Sequence, residues 1–216
     1  HMLVASLPPL PVRLDGARLP LSPERLQDRL RLLEPEDARE IAQLFEVLQW
    51  SRQFAEQTDR AVAQRYEELM REVANPVIRE VLTVVIDVRM VTTALRLRRR
   101  GEGPPTVGIG QWFDQIRRQY KRPDFGLGFA YPRLAELGAR FEQGDVLAVH
   151  RGLLRGTWEF LRKRAEGFSF EFEAVVLYVV RWSLILEAQK VDERRGRAAF
   201  DALVTEALGE YANVFA

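Results

Sequence analysis

PVIREVLTVVIDVRMVTTALRLRRRG, residues 76–101, is the stretch whose reading decides the fold. Its first half is almost wholly apolar and its second half is basic. Val77, Ile78, Val81, Leu82, Val85 and Ile86 already cover more than one side of a helix, the pattern of a helix buried on several sides. Val and Ile also favour strands. The length of the run and the lack of turn residues between Val77 and Arg100 favour a helix. Asn75-Pro76 supplies a cap and a first-turn proline, and Gly101-Glu102-Gly103-Pro104-Pro105 is a firm stop. Arg89, Thr93, Arg96 and Arg100 step along one face by three or four residues.

Working outward towards the N-terminus, Ser22-Pro23-Glu24 and Glu34-Pro35-Glu36-Asp37 read as helix starts. Ile41, Leu44, Phe45 and Leu48 then fall at helical spacing, and Thr58-Asp59 interrupts before a further helical stretch. Pro8, Pro9, Pro11 and Pro20 keep residues 7–21 non-helical, yet the segment is too apolar for a free linker. It reads as an arm lying on a helical core, with residues 3–7 a short strand or part of that arm. His1-Met2 reads as a cloning remnant, with the natural chain expected to start at Met2 and no signal peptide after it.

Towards the C-terminus, residues 106–131 are the least regular part, carrying Gly108, Gly110, Gly126 and Gly128 around a short helix expected over 112–120. Helical patterning returns over 134–141, 145–164, 170–190 and about 193–211. Laying Val81-Leu82 on Val176-Leu177 also places Val84-Val85 on Val179-Val180 and Arg99-Arg100-Gly101 on Arg194-Arg195-Gly196. The expectation is an all-α multi-helix bundle with an extended Pro-rich arm. Its parts are a remnant and arm (1–21), a helical half (22–105), a Gly-rich connection (106–131) and a second, similar half (132–216).

Composition narrows the function classes. The 216 residues are 47% hydrophobic and 29% charged, with Lys+Arg 32 against Asp+Glu 31. Such a balance gives no global field towards nucleic acid or membrane. Basic charge is overwhelmingly Arg, which suits ion pairs and interfaces; Lys occurs only at Lys121, Lys163 and Lys190. No cysteine is present, which removes disulfides and thiolate chemistry and fits a cytoplasmic protein. The longest apolar run, 174–186 broken by Arg181, is shorter than the ~20 residues of a membrane span.

Catalytic equipment is not recognisable. His150 is the one histidine besides His1, and no Glu-x-x-His or His-x-x-x-His pair offers a metal site. Gly108-Ile109-Gly110 lacks the third glycine and the preceding strand of a dinucleotide loop. We expect no enzyme, cofactor or metal. The basic end of the central helix (Arg89, Arg96, Arg98, Arg99, Arg100) reads either as a grip on an acidic partner or as a solvated end favoured by the helix dipole. Phe125, Phe129 and Tyr131 read as a loop pinned to the core rather than a base-stacking loop. Asp87 and Arg181 are lone charges in apolar runs, and we expect them to pair across two packed helices.

The opening LVASLPPL (3–10), the following LPLSPERL (19–26) and the later helical region resemble a bacterial family of uncharacterised proteins encoded beside V/A-type ATP synthase genes. DVRMVTTALRLRRRG (87–101) is similar to a helix of the C-type coupling component of these ATPases, known as d in eukaryotes, with Arg89, Leu95, Arg96, Arg98 and Gly101 in matching places. The resemblance implies an all-helical, non-enzymatic component coupling the central shaft to the membrane ring. Its partners would be the V/A-type ATPase shaft and ring subunits, with membrane attachment through them alone. The alternative is a free-standing helical adaptor or regulator using the Arg-rich helix end on another acidic protein. A third reading, an enzyme with its site in 106–131, has no catalytic set behind it.

Overall fold

The computed structural model describes the backbone of residues 2–52 and 57–214 and the side chains of residues 3–50, 57–193 and 196. Among the described residues the chain is all-α, with nine helices and no strand: α1 (Met2–Ser6), α2 (Pro23–Leu30), α3 (Pro35–Arg52), α4 (Asp59–Glu72), α5 (Pro76–Arg99), α6 (Phe113–Arg118), α7 (Leu134–Glu142), α8 (Val146–Ala165) and α9 (Phe172–Val214).

The central helix forms as its sequence directs. The Asn75 side-chain oxygen accepts from the Val77 and Ile78 amides at 2.9 and 3.2 Å, and Pro76 occupies the first turn. At the other end Gly101 adopts φ 72°, a left-handed conformation that glycine takes without penalty. The Glu102 amide then reaches back to the Leu97 carbonyl and the Gly101 amide to that of Arg98, both at 2.9 Å. These two bonds make a Schellman cap. Ser22, Thr58 and Asp145 cap α2, α4 and α8 through their side chains.

α5 passes through three apolar clusters along its length. Val77, Ile78 and Val81 pack among residues of α1–α3 and the Val175–Trp182 part of α9. Leu82 and Ile86 meet Val47, Trp50, Val62 and Leu69 of α3 and α4. Met90, Val91, Ala94 and Leu95 meet α6, α7, α8 and the buried loop residues Phe125 and Leu127. The first cluster draws on both of the expected halves, since Leu161 and the α9 residues pack with Leu26, Leu44 and Val77.

Three expectations are corrected. Residues 3–7 are neither strand nor extended; they lie in the one-turn α1 and its exit, where Leu7 N–H bonds the Val4 carbonyl at 3.1 Å and Ser6 Oγ the Leu3 carbonyl at 2.7 Å. Two C-terminal helices are one, because α9 runs unbroken across the joint expected at 190–193 and on through Gly196. A mid-helix glycine costs only about 1 kcal/mol and no proline or cap follows it. The glycine stop expected in the second copy of a repeat is therefore absent, and the side chains of Arg194 and Arg195 lie outside the described residues. The arm over 7–21 does lie on the core: the Trp158 and Trp182 indole N–H groups donate to the Val12 and Leu21 carbonyls at 3.2 and 3.0 Å. Arg151 and Arg155 bind the Asp15 carboxylate at 3.1 and 2.7 Å.

Replacing Asn75 by Ala should cost about 1–2 kcal/mol in urea unfolding, since it removes both amide contacts at a buried cap. Arg100→Ala, at an exposed position, should stay within about 0.5 kcal/mol.

Candidate functional site: the charges of α5 and the cleft beside it

The arginines of the basic stripe divide into two sets. Arg89 is 9% exposed and turns inward, donating to Asp59 Oδ1 at 2.6 Å and to the Gln57 carbonyl at 3.3 Å. It thereby ties the start of α4 to α5. Arg98 closes over the 120–123 turn, its guanidinium donating to the Tyr120, Arg122 and Pro123 carbonyls at 2.8, 2.7 and 3.0 Å. The same guanidinium lies 3.9 Å above the Phe125 ring and 5.6 Å from that of Tyr120. Burial pushes the Arg98 pKa below its ordinary value, opposed by Tyr120 and by the Glu142 and Asp124 charges. Both arginines are thus bonded within the fold, whereas the sequence offers them together with Arg96, Arg99 and Arg100 as a partner interface.

Arg96, Arg99 and Arg100 face outward. Arg99 lies 5.6 Å over the Phe141 ring, and Arg100 is 3.7 Å from Glu102 with both side chains half or more exposed. The stripe from Arg89 to Arg100 is continuous on the helix, but the protein around it is not. α4 covers its start, and its end runs out past the core.

Asp87 and Arg181 are not joined. α5 and α9 do pack, through Val77–Val81 and Val175–Trp182, but the two charges point to different neighbours. Asp87 is 1% exposed, and its oxygens accept from the Gln111 backbone amide at 3.0 Å and side-chain amide at 2.7 Å. Gly110 (φ 94°) makes this possible, because a Cβ there would lie 2.5 Å from Asp87 Oδ1. Desolvation raises the Asp87 pKa from 3.8 to about 6, against the hydrogen bonds that oppose it. Burial, with the Asp87 charge adding to it, also raises the Tyr131 pKa. Arg181 instead stacks 4.5 Å over the Trp158 ring, and its buried Nε has no partner.

The 106–131 segment is pinned as the aromatic pattern implies. Phe125 and Leu127 are fully buried. Phe125 (φ 51°) and Gly126 (φ 72°) turn the chain left-handed, and the Asp124 carboxylate accepts the Gly126 and Gly128 amides at 2.9 and 3.2 Å. Those amide bonds, the Gly126 one first, lower the Asp124 pKa. Phe129 is the exception: it is 70% exposed, with its ring edge-on to Trp112 at 5.3 Å.

One feature had no sequence signal. A cleft of about 360 Å³ lies beside α5, walled by α8 and α9, with Val84, Val85, Val88, Leu154, Thr157 and Leu184 on its sides. His150, Arg89, Arg96 and Glu187 also line it. Half-buried valines on α5 are the only trace it leaves in the pattern, and they read equally well as core. Among the described residues no group of three or more His, Asp or Glu side chains could hold a metal ion, and no helix is long and apolar enough to cross a membrane.

These features define an all-helical bundle organised on one buried helix, with an exposed arginine end and an apolar side cleft. The chain belongs to the family described as Protein of unknown function (DUF2764), whose signature matches residues 44–208. No curated protein and no solved structure matches it. The matched region contains all of α4 to α8, and so every α5 charge described above, while residues 3–26 lie outside it.

Removing the Arg98 guanidinium should cost about 1–2 kcal/mol, since its carbonyl bonds are charge-assisted but exposed or part-buried, whereas Arg99→Ala should change stability by less than about 0.5 kcal/mol. Urea titration of both variants checks this. Because the Asp87 pKa is raised in the folded state to about 6, the folded chain holds that proton more tightly. Its contribution to stability is therefore largest below the unfolded value of 3.8 and falls as pH rises towards 6. Asp87→Asn keeps an acceptor for the Gln111 amide and cannot ionise. The melting temperature of this variant relative to wild type should rise between pH 4 and pH 6, about the two pKa values, and level off above.

Proposed function

We propose that this chain is a non-enzymatic helical docking component, and that the machine it serves is a V/A-type rotary ATPase, in the position of the C-type coupling component between central shaft and membrane ring. The observation that carries the docking part is the outward set Arg96, Arg99 and Arg100. They project from the end of a helix capped at both termini and packed into three apolar clusters. Exposed cations on a rigid support give partner choice and register through charge complementarity. The ATPase part rests on the resemblance of residues 3–10, 19–26 and 87–101. Of the positions matching the coupling-component pattern, Arg89, Leu95, Arg98 and Gly101 serve the fold here, and Arg96 faces outward.

The test is a pull-down of the full chain from detergent-solubilised membranes at low and high salt, with partners identified by mass spectrometry. ATPase shaft and ring subunits should be recovered at low salt and reduced at high salt, where exposed charges are screened. The triple variant Arg96→Glu/Arg99→Glu/Arg100→Glu should lose them while keeping the wild-type melting temperature. Absence of ATPase subunits in every condition would sink the rotary assignment. Their recovery by the triple variant would sink the arginine surface.

A further inference from the structure

The cleft beside α5 has a shape and chemistry that select one kind of occupant. α5 and α8 both pack on α7 and on α9 and approach each other less closely outside the shared apolar cluster, and the cleft lies between them. On α5 its lining runs from Val81 to Arg96 and on α8 from Leu161 back to Val146. Each wall is about 22 Å long at 1.5 Å per residue.

The two ends differ. One end is shut: Val81, Leu161 and Val180 are buried there, and beyond them Arg164 Nε of α8 pairs with Glu80 Oε2 of α5 at 2.9 Å. The other end is open, bounded by Val146 (44% exposed), Arg96, His150 and Glu187. Glu187 already has Lys190 at 3.9 Å, whereas no carboxylate among the described residues pairs with Arg96. Between the ends the wall is apolar apart from Arg89, whose guanidinium bonds Asp59 and the Gln57 carbonyl, and its hydroxyl residues are turned to their own helices. Thr92 donates to the Val88 carbonyl at 2.8 Å, Thr157 to Leu153 at 3.0 Å and Ser183 to Val180 at 2.8 Å. Each hydroxyl proton is thus used by its own helix.

The cation at the mouth and the apolar stretches of the wall select the occupant. The cleft, about 360 Å³, matches the low end of small-molecule sites, which begin at about 300 Å³. We propose that it binds a single-chain amphiphile with an anionic head, a long-chain fatty acid or a lysophospholipid. The hydrocarbon chain lies between α5 and α8 with its tail towards the Glu80–Arg164 pair, and the head group meets Arg96 at the mouth. This site is separate from the docking surface except for Arg96.

The experiment is calorimetric titration of the full chain, below the critical micelle concentration, with oleate, lysophosphatidylglycerol and uncharged monoolein. At least one anionic ligand should bind at one per chain; which of the two binds more tightly identifies the source. Val84→Trp fills the gap from a half-buried, cleft-lining position and should abolish binding. Thr157→Phe serves the same purpose from α8 if the first variant does not fold. Arg96→Glu should weaken the anionic ligands by about tenfold, the equivalent of one charge-assisted contact, and leave monoolein unchanged. Arg99→Glu/Arg100→Glu should leave all three unchanged, so failure of the docking surface and failure of this site are told apart. Lack of saturable binding by either anionic ligand would overturn the proposal, as would undiminished binding to both cleft-filling variants. Loss of a protein partner on Val84→Trp without any amphiphile binding would also overturn it, and would give the cleft to that partner.

Discussion

The structure depends on α5 running through three apolar clusters while carrying charge. Apolar burial alone would leave its rotation and its contacts with the loops loosely specified. Three inward polar groups fix them: Arg89 holds the start of α4, Asp87 holds the 110–112 backbone, and Arg98 holds the 120–123 turn. Each bond joins the spine to a connecting segment that has little regular structure of its own. An unpartnered buried charge costs several kcal/mol, so a shift of α5 by one residue would break all three ties together. The Asn75 and Gly101 caps set where the helix begins and ends.

That use of charge shapes what the protein offers to others. The inward set is spent on the fold, and the outward set, Arg96, Arg99 and Arg100, is left at one end. The surface features this leaves are cations on a stiff support, an exposed Phe129 against Trp112, and an apolar gap with a cationic mouth. The gap exists because α7 and α9 hold α5 and α8 apart, while the Glu80–Arg164 pair draws them together at one end.

Much of the fold was legible because it is set locally. Ser22, Thr58, Asn75 and Asp145 announce helix starts by a hydrogen bond to a residue two or three positions on, and Gly101 announces a stop by its φ. The destination of a charge is not local. Arg98 shares a face with Val91 and Leu95, seven and three positions earlier, and that spacing carries the inward signal; the run of neighbouring arginines hides it. Asp87 and Arg181 invite pairing because each is alone in its helix. Their real neighbours, Gln111 and Trp158, are polar and aromatic groups with no charge pattern to mark them. The continuity of α9 across 190–193 is hidden because the apolar pattern gives way after Val191 to the polar run Asp192–Arg195, and Gly196 beyond it reads like a stop although one glycine is a weak one. The cleft is invisible for a different reason: a half-buried valine looks the same in sequence whether it faces a core or a gap.

Native-state hydrogen exchange of the full chain tests the central claim most directly. If α5 is the element on which the rest is assembled, the amides of residues 77–95 should exchange only with global unfolding, as the slowest set in the molecule. Arg98→Ala should then loosen residues 119–128 while leaving the α5 amides limited by global unfolding. Exchange of residues 77–95 through a local opening well below the global free energy would contradict the account, because the spine could then come apart before the structure it is said to hold.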